Sequence, residues 1–129
     1  MKSILIDTDI FIDHLRGNIE AKNFLEILKN TEYITYFSAI TEAELVSGKE
    51  CNNYEKLQNI LDLLSLHTKL VINNEIAKRA GEFRRKYDTP LLDSIIAASA
   101  FVTKSKIVTK NIKHFKAIKE ITAISPDFK

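Results

Sequence analysis

Cysteine, glycine and long apolar runs are scarce in this sequence. The single Cys51 leaves no internal disulfide and no cysteine partners for a structural zinc site. Three glycines leave no Gly-rich loop of the kind that cradles phosphates, and no serine stands in a nucleophile-elbow setting. No apolar run approaches the ~20 residues that a membrane span needs. Lys2 and the short apolar stretch that Asp7 ends are too brief for a secretory signal. The expectation is a cytoplasmic protein with no membrane attachment.

What is present suits one α/β domain covering residues 1–129. A chain of 129 residues buries roughly two-thirds of the surface it exposes when unfolded, so it needs no covalent staple. Hydrophobic residues make up 45% and charged residues 28%, ordinary values for a globular protein. Net charge is only +2, but it is unevenly spread. Residues 1–65 hold 6 Lys/Arg against 11 Asp/Glu, whereas residues 66–129 hold 13 against 6. An acidic cluster beside basic surface suits a metal site that attracts a polyanion. The plainer reading is a set of solvated helices that differ in charge.

Hydrophobic periodicity predicts the elements. Ser3 to Ile6 reads as a buried strand, followed by a helix from about Asp9 to Arg16 and a second from Ile19 to Leu28. Tyr33 to Phe37 reads as strand two, and Thr41 to Ser47 as a short helix closed by Gly48. Asn53 to Leu64 carries Leu57, Ile60, Leu61 and Leu64 at helical spacing. Leu66 to Ile72 is a weaker strand. A long helix runs from Asn74 to Tyr87, with Ile76, Ala80, Phe83 and Tyr87 on one stripe. Thr89-Pro90 reads as a helix start, Thr as cap and Pro as first helical residue. The helix that follows, to about Val102, is apolar on nearly every side and so should be central. Lys106 to Thr109 is another strand, Ile112 to Ile118 a short helix, and Glu120 to Ile124 a last strand. Strands alternating with helices imply a mainly parallel sheet.

Acids recur where predicted strands run into helices: Asp7 and Asp9 after Ile6, Glu42 and Glu44 after Phe37, and Asp93 at the head of the apolar helix. Open parallel sheets build their sites outside the carboxyl ends of the strands. Each acid also has a structural reading. Asp7 or Thr8 suits an N-cap, Thr41 and Glu44 suit a capping box, and Asp93 suits a helix first turn. The conjunction favours a shared role, because buried carboxylates gathered together need a cation between them. Oxygen ligands without Cys or His favour Mg²⁺ or Mn²⁺ over zinc, and phosphodiester hydrolysis is the natural chemistry. Among the histidines, His14 and His67 read as structural, and His114 as a candidate for facing the site. Arg84-Arg85-Lys86 reads as a solvated helix face or as a contact for RNA phosphates.

Four segments resemble the PIN-domain family, most closely its VapC-type toxins. They are Ile6-Asp7-Thr8-Asp9-Ile10-Phe11-Ile12-Asp13 with Leu15-Arg16-Gly17; Ser38 to Leu45 with Gly48; Leu92-Asp93-Ser94 to Ala100; and Val108-Thr109-Lys110-Asn111 with His114-Phe115. The resemblance implies a three-layer α/β/α sandwich around a mainly parallel sheet. It implies a Mg²⁺/Mn²⁺-dependent endoribonuclease, the toxin of a toxin–antitoxin pair. Asp7, Glu44 and Asp93 would then be metal ligands and activators of the attacking water, with Thr8 and Thr109 holding them in place. Many members carry an acid in the fourth segment, where this chain has Asn111 and His114; Asp9 or Glu42 stands near enough in sequence to compensate. Lys110 joins the basic run as a candidate RNA contact. A homodimer and an inhibiting cognate antitoxin are also implied. Two alternatives stand beside this: a non-catalytic PIN-fold module that binds RNA or protein, and an aspartyl-phosphate phosphatase suggested by Asp7-Thr8-Asp9. The phosphatase reading lacks its later Lys and paired Asp.

Overall fold

The computed structural model describes residues 2–126. Five strands form one sheet, β1 (Ser3–Ile6), β2 (Ile34–Ser38), β3 (Thr68–Leu70), β4 (Lys106–Val108) and β5 (Ala123–Ile124). Their order is β3-β2-β1-β4-β5, and every pairing is parallel. The chain winds outward from β1 to β3, then crosses back to place β4 on the other side of β1. This reversal opens a crevice at the carboxyl ends of β1 and β4, where sheets of this kind carry their ligands.

Six helices cover the sheet: α1 (Thr8–Leu15), α2 (Ile19–Lys29), α3 (Ala39–Val46), α4 (Tyr54–Leu64), α5 (Asn74–Tyr87) and α6 (Leu91–Thr103). Side chains alternate across the pleat, and that alternation builds two cores. Ile4, Ile6, Phe37 and Val108 face one way and meet Phe11, Phe24, Leu28, Leu45 and Leu64 from the first four helices. Leu5 and Ile107 face the other way and meet Ile76, Ala80 and Phe83 of α5 and the Ala97-Ala98 stretch of α6. The result is the expected three-layer α/β/α sandwich. Among the described residues no helix is long and apolar enough to cross a membrane.

Several local expectations shift, each for a physical reason. The helix-start signal at Thr89-Pro90 sits one residue later: Pro90 is the N-cap and Leu91 the first helical residue, while Thr89 is buried and its carbonyl accepts from Ser94. The capping box at Thr41 does not form, because Ser38 caps α3 by accepting from the Ile40 N–H, and Thr41 lies buried inside the helix. Ile112–His114 is a single 3-10 turn rather than a longer helix. The last strand shrinks to two residues at the sheet edge. A 3-10 turn at Lys49–Asn52 follows α3, where periodicity predicts nothing.

Candidate active site

Asp7 is the residue on which this crevice is built. It follows β1 directly, and its N–H donates to the Val108 carbonyl at 3.0 Å, so β1 and β4 stay paired to their last residues. Asp7 is also the N-cap of α1: its Oδ1 accepts from the Thr8 N–H at 2.9 Å. Its second oxygen accepts from the hydroxyl of Thr109, the fully buried residue that follows β4, also at 2.9 Å. The capping reading therefore holds for this residue, and the same cap leaves its carboxylate facing the other acids of the crevice. Burial, and then the negative charge of Asp9, push the Asp7 carboxyl up to about 6; the Thr109 and Thr8 donors oppose them, and Asp93 adds a further upward push.

Asp9, in the first turn of α1, is half-buried. Its Oδ2 accepts from the Lys110 N–H at 2.9 Å, from Thr109 Oγ1 at 3.2 Å and from the Asn111 side-chain amide at 3.2 Å. Its Oδ1 is buried and has no hydrogen-bond partner among the described residues. Burial raises its pKa, against the lowering effect of those donors. A buried oxygen of this kind calls for a water or a cation.

Asp93, in the first turn of α6, is half-buried, and burial raises its pKa while His114 lowers it. His114 Nδ1 lies 3.4 Å from its Oδ2. The fourth segment thus supplies a histidine partner to Asp93 and an amide donor to Asp9, where an added negative charge is usual in the resemblance. Asn111 is exposed and turns its nitrogen towards the cluster.

Glu44 is exposed, contrary to the expectation that its apolar helix would bury it. It is tied to the cluster indirectly. Thr8 Oγ1 donates to Glu44 Oε1 at 3.0 Å and lies 2.9 Å from Thr41 Oγ1. Thr8 therefore bridges α1 and α3 beside Asp7. Glu42 turns away and pairs with Lys69 of β3 at 3.3 Å. Among the described residues, no three Asp, Glu, His or Cys side chains stand close enough to form a ready-made metal cage. The donor set still fits a hard divalent cation: it is oxygen-only, negatively charged, and includes one unpaired buried oxygen. Mg²⁺ needs only one or two carboxylates, keeping several waters for the remainder.

The basic candidates divide. Lys110 is exposed and pairs with Asp13, so its ammonium is engaged one turn along α1 from Asp9. Arg84, Arg85 and Lys86 occupy the exposed last turn of α5. Arg84 donates to the Thr89 carbonyl at 3.5 Å, just before α6, and Lys86 pairs with Glu120 at 3.6 Å. Two participants escape a sequence reading. Thr41 has no chemical label of its own, although a threonine three residues past Ser38 mirrors Thr8 at the neighbouring strand end. Asp13 falls inside the first resembling segment, but its pairing with Lys110 has no sequence signal beyond its i+4 spacing from Asp9 on one helix face.

Comparison with known proteins agrees with this geometry. The family profile described as "PIN domain" matches residues 4–121. The protein called Ribonuclease VapC19, from Mycobacterium tuberculosis, is 31% identical over 117 residues, covering 86% of this chain and 90% of its own length. Ribonuclease VapC10 of the same organism is 28% identical over 123 residues, covering 92% and 90%. Among solved structures, a toxin–antitoxin complex from Klebsiella pneumoniae contains a chain with TM-score 0.79 and 31% identity, over 95% of this chain and 97% of that one. A DNA-bound VapBC from Salmonella typhimurium shares the fold at TM-score 0.82, with 21% identity over 98% of this chain and 99% of that one. A parallel sheet of this order, an acidic crevice at its switch point and a profile match over nearly the whole length lead to one statement: the chain belongs to the PIN domain family.

Proposed function

We propose that this protein is the VapC-type toxin of a toxin–antitoxin pair, a ribonuclease that hydrolyses RNA phosphodiester bonds with Mg²⁺ or Mn²⁺. The observation that carries this reading is the Asp7 carboxyl. It is held by Thr109 and Thr8 and lies within electrostatic reach of Asp9 and Asp93, in a crevice at the carboxyl edge of the sheet. Three acids so placed repel one another and any phosphate, and a bound cation removes both costs. The likeness in sequence to proteins named ribonucleases supports the same chemistry.

In this reading Asp7, Glu44 and Asp93 hold the ion, with Asp9 beside them. When bound, the ion supplies an acidified water and positive charge opposite the phosphate oxygens. The chain's own residues do the rest. Thr109 and Thr8 fix the Asp7 oxygens by donating to both, and Thr8 also fixes Glu44. His114 stands beside Asp93, where it offsets that residue's charge. Arg84, Arg85 and Lys86, at the end of α5 next to the start of α6, meet RNA phosphates, as Lys110 does on leaving Asp13. A cytoplasmic homodimer inhibited by a cognate antitoxin, which inserts a basic side chain into the acidic crevice, completes the proposal.

A second reading has one specific observation in its favour. Asn111 contributes an amide donor and no charge, as in a PIN-fold module that binds RNA or protein without cleaving. Expression in a bacterial host separates the two. The toxin reading expects growth arrest that Asp7→Asn abolishes and that a co-expressed antitoxin from a neighbouring reading frame relieves. Arrest that persists with Asp7→Asn overturns it.

A further inference from the structure

A second recess lies away from the acidic crevice. It has a volume of about 490 Å³ and opens between α2 and the strands β1, β4 and β5. Its mouth lies towards the amino ends of the strands, where Lys2 and Ser3 begin β1, Tyr33 precedes β2, and Lys104 and Lys106 lead into β4; it runs along the sheet face to Val108 and Ile124. The floor is apolar, formed by Phe24, Ile27 and Leu28 of α2 and by Ile124 of the edge strand. Because β5 has only two residues, no broad strand or helix closes that side. Ile27 remains 55% exposed on the wall, while Phe24 and Leu28 of the same helix are buried beneath it.

The rim is cationic. Lys2, Lys104 and Lys106 all line the opening and are all exposed. None has a carboxylate partner among the described residues, so their charges are free to meet an anion at the opening. Lys104 carries a further sign. It caps α6 in the left-handed region, with φ of 56°, a position where glycine is the unstrained choice. A lysine held there at conformational cost fits a place where its charge is used.

We propose that this recess is a binding site for a small amphiphilic anion, a molecule with an alkyl tail of medium length and one carboxylate. The tail lies along Phe24, Ile27 and Leu28, and the headgroup meets the lysine rim. Volume, apolar lining and a few convergent polar groups are the ordinary make-up of a small-molecule site. Charge complementarity selects an anion, and the recess is too small for a folded partner's surface.

Decanoate, below the concentration at which it forms micelles, is the probe. Calorimetry should give saturable binding to one site per chain, with methyl shifts confined to Ile27, Leu28 and Ile124. Decanol, equally apolar and uncharged, should bind at least fivefold more weakly. The double change Lys104→Gly with Lys106→Gln should weaken decanoate at least fivefold, while Lys104→Gly relieves backbone strain and leaves the ligand-free melting temperature equal or higher. The proposal is overturned by non-saturable binding, by equal affinity for decanol, or by unchanged affinity in the double variant. It is also overturned if Ile27→Asp changes the oligomeric state in solution, because the recess is then a contact between copies of the chain.

Discussion

The hydroxyl of Thr109 donates to Asp7 Oδ2 at 2.9 Å, joining residues 102 positions apart in sequence. The same hydroxyl lies 3.2 Å from Asp9 Oδ2, so its single proton is shared between the two acids, and its oxygen accepts from the Asn111 N–H at 3.0 Å. One buried hydroxyl therefore orients both N-terminal acids and shapes the turn that leaves β4. Thr109→Val keeps the volume and removes the donor. The expected cost is about 1–3 kcal/mol in urea denaturation, because two buried carboxylate oxygens lose a partner. The Asp7 pKa should also rise further, which carboxyl NMR reads directly. A Thr109→Ser variant should restore most of both.

The pH dependence of the metal-free protein follows from Asp7. Its carboxyl moves from 3.8 to about 6 on folding, so the folded chain holds that proton more tightly than the unfolded chain. The group's contribution to stability is fully present below pH 4 and is lost as pH rises through about 6. The neutral variant Asp7→Asn escapes this loss. With chelator present, Asp7→Asn should gain stability relative to wild type between pH 4 and pH 7, by up to about 2 kcal/mol. Denaturation curves at pH 4, 5.5 and 7.5 check it; a difference that stays constant across the three contradicts the assignment.

Divalent cations should reverse that ranking. An ion that binds only the folded state raises its stability by about 2.7 kcal/mol at 100 times its dissociation constant. Mg²⁺ or Mn²⁺ at pH 7.5 should therefore raise the melting temperature of wild type and leave Asp7→Asn and Asp93→Asn nearly unmoved. The rise should fade as pH falls through about 6, where protons compete for Asp7. Thermal scans with and without metal make the measurement.

Thr8 is the second hydroxyl on which the site depends. It is buried, it donates to Glu44, and it lies within bonding distance of Thr41. Thr8→Val should cost about 1–2 kcal/mol and release Glu44 from its fixed position. Thr41→Val should cost a similar amount but leave the Thr8–Glu44 bond in place. If Glu44 serves the site, metal affinity falls in Thr8→Val and much less in Thr41→Val, a split that calorimetry resolves.

Much of this arrangement is legible in the chain because its signals are local. Ile4, Leu5 and Ile6 form an apolar run that an acid terminates, and the stripe of Ile76, Ala80 and Phe83 marks α5 to its true ends. The position of Asp7 and Asp93 at one sheet edge follows from alternation of strands and helices alone. What is hidden depends on partners distant in sequence. Glu44 lies on an apolar helix yet is exposed, since only Thr41 and Leu45 of α3 face the core fully. Thr41 resembles a cap, but its hydroxyl instead lies 2.9 Å from that of Thr8, 33 residues earlier in the chain. β5 is two residues long because it is an edge strand with one neighbour, and no periodicity marks so short an element. Asn111 looks like a missing acid; its actual work, donating to Asp9, is visible only once Thr109 and Asp9 are brought together.

The central claim, that carboxylates at the switch point of this sheet run a metal-dependent ribonuclease, is tested most directly by single-turnover RNA cleavage with purified protein. Wild type should cleave when Mg²⁺ or Mn²⁺ is added and stop when chelator is added. Asp7→Asn and Asp93→Asn, shown to be folded by circular dichroism, should cleave at least 100-fold more slowly. Cleavage by either folded variant at the wild-type rate, or wild-type cleavage undiminished by chelator, contradicts the claim.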